Sequence, residues 1–220
     1  MGFEYTHLLW DFNGTLFDDV DAGIASADDL LAAHGLQRFS SREAYRETFG
    51  FPIADYYRRM GFDFSRTPYA DLAVEWVAYY LERSRASVLF DDVIKTLAGT
   101  KEKGISNWIL SATELTMLAR QVETLGLRPW FDGLLGLDNI HAYSKAEIGV
   151  RWRREHPEAR VLLIGDTDHD AEVAAAMEVD CALVARGHQS RRKLETCRAV
   201  AVTDTLTELF EKLLNGSNQN

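Results

Sequence analysis

Three apolar runs in the 220-residue sequence end in groups that can do chemistry. His7–Trp10 runs into Asp11, Ser106–Leu110 into Ser111, and Val161–Ile164 into Gly165 and Asp166. Asp170 follows Asp166 by four residues, so a helix beginning near Asp168 projects both carboxylates toward one place. Lys145 opens a helical pattern ahead of the third run. A carboxylate can attack phosphorus and form an acyl phosphate. A hydroxyl and an ammonium can hold phosphate oxygens. An acid pair offers the hard oxygen ligands that Mg²⁺ prefers. The set points to phosphoryl transfer, provided the fold gathers the run ends.

The elements that must do this are legible as periodicity. Short apolar runs suit strands buried on both faces of a parallel sheet. Strands are expected at His7–Asp11, Ser106–Leu110, Val161–Ile164, Cys181–Ala185 and Ala199–Val202. Helical patterns stand between them, including Phe90–Gly104 and Glu114–Gly126, each closed by glycine. Alternating strands and helices predict an α/β fold, a doubly wound parallel sheet. Ligands of such sheets bind outside the carboxyl ends of the strands, near the switch in strand order.

The alternation breaks between the first two strands. Residues 18–88 show helical spacing and no convincing strand. A helix through Val20, Ile24, Ala27, Leu30 and Leu31 ends at His34–Gly35. Short helices follow over Ser41–Gly50 and Ile53–Gly61, and a longer one over Pro68–Arg85. This is too long for a strand-to-helix loop and predicts a small all-helical cap inserted after the first strand. The expected division is a core of residues 1–17 and 89–214, a cap of 18–88, and a frayed tail of 215–220.

At this point the residues resemble a known family. Asp11-Phe12-Asn13-Gly14-Thr15-Leu16-Phe17-Asp18, then Ser111, then Lys145, then Gly165-Asp166-Thr167-Asp168-His169-Asp170 resemble the four motifs of the haloacid dehalogenase superfamily. Their order and spacing are similar to the phosphoglycolate phosphatase-like branch, with its helical cap between motifs one and two. The resemblance extends from His7 to about Leu209. It implies a Rossmann-like core and a Mg²⁺-dependent phosphatase acting on a small phosphorylated metabolite. Asp11 is then the nucleophile. Asp11, the backbone carbonyl of Asn13, and Asp166 hold Mg²⁺, while Asp170 assists the metal or orients Lys145. Ser111 and Lys145 bind the phosphoryl group with the backbone amides of Asn13, Gly14 and Ala112, and Thr15 braces the loop. A turn of helix near Leu16–Asp18 is implied as the pivot of a cap that excludes water.

One position departs from the family pattern. Where its phosphatases carry a second Asp, two residues after the nucleophile, this chain has Asn13, which cannot exchange a proton. General acid/base help is worth ~10²–10⁴-fold in rate. Three readings stay open. Activity persists, slower or on good leaving groups; another group such as His169, His141 or a cap residue takes over; or the chain is a relative that binds metal and phosphate with little catalysis. The cap has eight arginines and no lysine. Most read as a solvated face, yet Arg46, Arg58 and Arg59 are candidates for meeting the substrate, since a guanidinium recognises carboxylate or phosphate bidentately. Gly50, in Phe49-Gly50-Phe51-Pro52, resembles the Gly-x-Pro element of family caps. The aromatics Tyr45, Phe49, Phe51, Tyr56 and Tyr57 read as cap packing, or as the lining of a pocket larger than phosphoglycolate needs.

Composition excludes other classes. With 24 basic and 34 acidic residues the net charge is −10, against a nucleic-acid or anionic-membrane partner. No apolar run reaches the ~18 residues of a membrane span. The start MGFEYTHLLWDF lacks the basic lead of a signal peptide. Two cysteines without a CxxC pattern read as reduced thiols, so a cytoplasmic location is expected. The oligomeric state is not legible.

Overall fold

A computed structural model describes residues 4–138 and 145–216. Its centre is strand β1, His7–Trp10. Leu8 and Trp10 enter one apolar cluster and Leu9 the other, so the strand is buried on both faces, as its unbroken apolar run requires. The Trp10 indole N–H donates to Asn107 Oδ1 at 2.9 Å, which satisfies the one polar atom that this packing buries.

The main sheet adds β4 (Ser106–Glu114), β5 (Gly133–Leu137), β6 (Val161–Gly165), β7 (Asp180–Val184) and β8 (Ala201–Thr203). Its order is β5-β4-β1-β6-β7-β8, and every pair is parallel. The order reverses at β1, with β4 on one side and β6 on the other, so a crevice opens past its carboxyl end. β5 lies outside the expected strands. Its sequence GLLGL is short and glycine-flanked, a weak signal on its own. The helices α5 (Val93–Glu102), α6 (Leu115–Thr124), α7 (Ala146–Glu155), α8 (Asp168–Met177), α9 (Arg191–Leu194) and α10 (Leu206–Gly216) accompany the sheet. The last continues into the segment expected to fray.

The insert is helical: α1 (Val20–Ala33), α2 (Arg42–Thr48), α3 (Ile53–Arg59) and α4 (Tyr69–Arg83). They enclose a separate cluster around Val20, Leu30, Leu31, Tyr45, Tyr57 and Leu72. Two corrections arise at its ends. The turn of helix expected at Leu16–Asp18 falls earlier, where Leu16 N–H donates to Phe12 O at 2.9 Å. Phe17–Asp18 instead forms β2, antiparallel to β3 at Val88–Leu89. Strands of two residues are too short to leave a periodic signal, and this ribbon ties the cap's entry to its exit.

Candidate active site

Asp11 is the first residue past β1. Trp10 is in register with Ile109 of β4 and Ile164 of β6, and Asp11 N–H donates to Ile164 O at 2.8 Å. Ser111 and Asp166 therefore stand one step further along the two flanking strands. The register of β4 shifts between Leu110 and Glu114, a bulge that turns Ser111–Thr113 toward the crevice mouth. Ser111, Ala112 and Thr113 line a cavity of ≈ 150 Å³ whose floor includes Asp11, Lys145 and Asp166.

Lys145 caps the start of α7 and is buried. Its ammonium contacts Asp11 Oδ1, donates to Leu110 O at 3.1 Å, and lies 2.7 Å from Asp170 Oδ1. Burial by itself pulls an ammonium's pKa down, but Asp11 and Asp170 outweigh it and hold Lys145 above its ordinary value. Asp170 Oδ2 accepts from Thr167 Oγ1 at 2.7 Å and Thr167 N–H at 3.0 Å, closing a capping box at the start of α8. Thr167 is thus the N-cap of α8, and the Asp168 side chain accepts from Gln189 Nε2 at 2.7 Å. Thr15 Oγ1 stands 3.4 Å from Asp11 Oδ2 and 3.3 Å from Asp166 Oδ1, bracing both acids.

Gly14 has φ +70°, and a Cβ there would collide with the Asp166 carboxylate, so the turn requires glycine on both counts. Its amide donates to Phe17 O and to Asp19 Oδ1, both at 2.9 Å. That corrects the expectation that this amide cradles phosphate: the loop already uses it. Asn13 lines the cavity, and its side chain is held on three sides. Nδ2 donates to Asp19 Oδ2 and Tyr80 Oη, both at 2.7 Å, and Oδ1 accepts from Thr113 Oγ1 at 2.9 Å.

Sequence reasoning missed the other half of this network. Tyr80 Oη donates to Asp19 Oδ2 at 2.6 Å. His188 Nε2 is 3.3 Å from Asp19 Oδ1, its Nδ1 is 2.8 Å from Tyr45 Oη, and its backbone N–H donates to Asp166 Oδ2 at 2.6 Å. Asp19 reads as an ordinary helix-start acid, and it does precede α1, but its side chain makes no cap bond. His188 had one usable signal: it lies four residues past β7, on the same sheet edge as the other strand-end groups. Burial would lower the His188 pKa, yet Asp19 beside it raises it overall. The same contact lowers Asp19 against its own burial.

The cap arginines do not reach the cavity. Arg46 donates to Gly187 O at 2.9 Å and Arg186 O at 2.7 Å, clamping cap to core. Arg58 pairs with Asp55 at 2.5 Å and lies over the Phe64 ring; Arg59 donates to Thr48 O at 2.8 Å. Gly50 is packed near Lys193, Arg59 and Gln189, outside the lining. Each guanidinium is turned away by a nearer carbonyl or carboxylate. His169 does line the cavity, whereas His141 lies outside the described residues.

The donor set fits a divalent cation. Asp11, Asp166 and Asp170 are buried, and each offers an oxygen within 4.8 Å of the others. Burial, with the neighbouring acids, drives Asp11 well above its usual range, and Asp166 is pushed up to about 6 by burial and by Asp170. Four carboxylates, counting Asp19, face the Lys145 ammonium and a His188 drawn toward its charged form, which leaves an excess of buried negative charge. Such a cluster is costly until a cation joins it. Because protons on Asp11 and Asp166 compete with the cation, affinity falls as the pH drops through about 6. Mg²⁺ or Mn²⁺ is therefore expected to raise the melting temperature more at about pH 7.5 than at about pH 5. Equal rises at both would remove Asp11 and Asp166 from the ligand set.

Comparison with known proteins identifies the family and the fold. The family model described as haloacid dehalogenase-like hydrolase matches residues 8–184. A curated relative, "Probable phosphatase IndB" of Dickeya dadantii, is 24% identical over 213 residues, covering 92% of this chain and 90% of its own. The solved structure of protein tyrosine kinase A from Mycobacterium tuberculosis superposes with TM-score 0.80 at 22% identity, over 96% of this chain and 99% of its own. A haloacid dehalogenase-like family hydrolase from Streptococcus pneumoniae superposes with TM-score 0.79 at 18% identity, over 94% and 97%. Among the described residues, no helix is long and apolar enough to cross a membrane.

Proposed function

From the premise that the chain belongs to the haloacid dehalogenase-like hydrolases, we propose that it is a phosphomonoesterase with Asp11 as nucleophile. The observation that carries this reading is the buried Asp11 carboxylate at the crevice floor, fixed by Lys145 and Thr15 and facing the cavity beside Ser111. Asp11 attacks phosphorus in line with the departing oxygen, and an aspartyl-phosphate forms as the ester bond breaks. Lys145 and Ser111 hold phosphoryl oxygens, with the amides of Asn13 and Ala112 beside them. Asp11, Asp166, Asp170 and the Asn13 carbonyl are the groups to hold a divalent cation, Mg²⁺ by the hardness of the oxygen donors. When bound, it neutralises the acids and the phosphoryl charge so that two anions can meet. Water then cleaves the aspartyl-phosphate and returns Asp11 as a carboxylate. The relative named a phosphatase lends support.

A small phosphorylated metabolite is the substrate class this reading supplies, and the two free thiols accord with the cytoplasm. The test is phosphate release from acetyl phosphate and phenyl phosphate with Mg²⁺, and again with excess EDTA. Release with the metal and none with EDTA is expected. No release from either compound under any divalent cation would favour the alternative, a relative that binds metal and phosphate without turnover.

A further inference from the structure

The cavity above Asp11 has an unusual balance of groups for a small anionic substrate. Its cap side is formed by rings and aliphatic groups, among them Phe51, Tyr56, Tyr57, Trp76 and Tyr80, with Met117 from α6 opposite. Trp76 and Tyr80 stack at 4.9 Å with their planes 11° apart, and Phe51 stacks on His169 of the core at 4.4 Å and 22°. Among the described lining residues the one lysine or arginine is Lys145, which already faces Asp11 and Asp170. Glu114 and Asp19 also line the cavity, so a substrate carboxylate there would meet like charge. The Tyr56 hydroxyl, Trp76 Nε1 and His169 Nε2 are buried and make no hydrogen bond to described residues. All three belong to lining residues. These polar atoms are shielded, so what their residues present to the cavity is ring surface.

A second observation bears on the bond to be broken. By the family resemblance Asn13 stands where an acid would protonate the leaving oxygen, and its amide is committed to Asp19, Tyr80 and Thr113. An alkoxide leaves poorly without a proton. A phenolate does not need one, since a phenol near pKa 10 is about six units more acidic than water.

We infer that the substrates are aryl phosphates: uncharged aromatic rings with the phosphate on a phenolic oxygen. This rests on the reading of the site as a phosphomonoesterase. The ring lies among Phe51, Tyr56, Trp76 and Met117. The Asp11 oxygen–phosphorus bond forms as the phosphorus–aryl oxygen bond breaks, and the electron pair stays on the aryl oxygen. The phenolate leaves and takes its proton from solvent. Water then adds at phosphorus, its proton passes to solvent, and the pair of the broken Asp11–phosphorus bond returns to the carboxylate.

The experiment compares phenyl phosphate, benzyl phosphate and phosphoglycolate as substrates, with acetyl phosphate as a small acyl phosphate that has a good leaving group. Phenyl phosphate is expected to exceed phosphoglycolate by about 100-fold in kcat/KM, and benzyl phosphate by less, because its ring fits but its alkoxide leaves unaided. Trp76→Ala is expected to lower the ratio of kcat/KM for phenyl over acetyl phosphate about tenfold. Hydrolysis of acetyl phosphate with no preference for phenyl phosphate over phosphoglycolate overturns the substrate class and leaves the phosphatase reading intact. Binding to Asp11→Asn with Mg²⁺, followed by calorimetry, tests the pocket without turnover. Tighter binding of phenyl phosphate supports the class even if the turnover assay fails, and equal or tighter binding of phosphoglycolate overturns it.

Discussion

Asp11→Asn is expected to remove phosphate release by about 10⁴-fold or more, with the fold kept. The reason is stoichiometric: the carboxylate oxygen is the atom proposed to bond phosphorus, and an amide cannot replace it. The same substitution separates catalysis from stability. Asp11 lies on the crevice floor with its pKa driven upward by burial, and Asp170 and Asp166 add to that against Lys145. Removing its charge relieves repulsion among the acids, while Lys145 keeps Asp170 at 2.7 Å. The metal-free variant should therefore melt at or above the wild-type temperature. Its stabilisation by Mg²⁺ should shrink, because one anionic ligand is gone. Residual activity above about one percent, in protein free of deamidated material, would remove Asp11 as nucleophile.

Asn13→Asp, which restores the family's usual acid, is expected to destabilise the protein rather than repair it. Asn13 Nδ2 donates to Asp19 Oδ2 at 2.7 Å, and Asp19 is buried. An aspartate at 13 has no hydrogen to offer there. Two carboxylates would meet, with Tyr80 able to donate to one of them only. The pair must hold a proton or repel, at a cost of about 2–4 kcal/mol. For a chain of this size that is a fall of roughly 5–12 °C in Tm. The double variant Asn13→Asp/Asp19→Asn exchanges the amide and the acid and should recover most of it. It should also raise turnover of benzyl phosphate on the order of 100-fold, since an acid then stands where the leaving oxygen needs a proton. Thermal melts and kcat on the four proteins form a double-mutant cycle. A single Asn13→Asp variant as stable as wild type would break the proposed coupling between 13 and 19.

Much of this protein is determined by local sequence. Five short apolar runs marked five of the six main strands, because a strand buried on both faces must be apolar throughout. The acids and the hydroxyl after three of those runs marked the sheet edge where ligands bind, because a strand's end fixes where the next side chain goes. The helical insert was legible because four amphipathic patterns intervene before the next strand. Asp11, Ser111, Lys145, Asp166 and Asp170 followed from their order, and the fold brings all five to one crevice.

What only the tertiary structure decided is where side chains turn once distant segments meet. Asp19 and His188 are 169 positions apart, and Tyr45 and His188 are 143 apart. No local pattern says that an acid at a helix start will face inward to Asn13 rather than outward to solvent. The arginines of the cap were reasonable anion ligands by type, yet Arg46 finds core carbonyls and Arg58 finds Asp55, because a guanidinium binds the acceptor its backbone brings near. The β2–β3 ribbon joins two segments seventy positions apart through strands of two residues, too short for periodicity to register. The sequence thus names three acids of the site, Asp11, Asp166 and Asp170, and not Asp19. The aromatic walls above them, and the bonded state of Asn13, exist only through packing between cap and core.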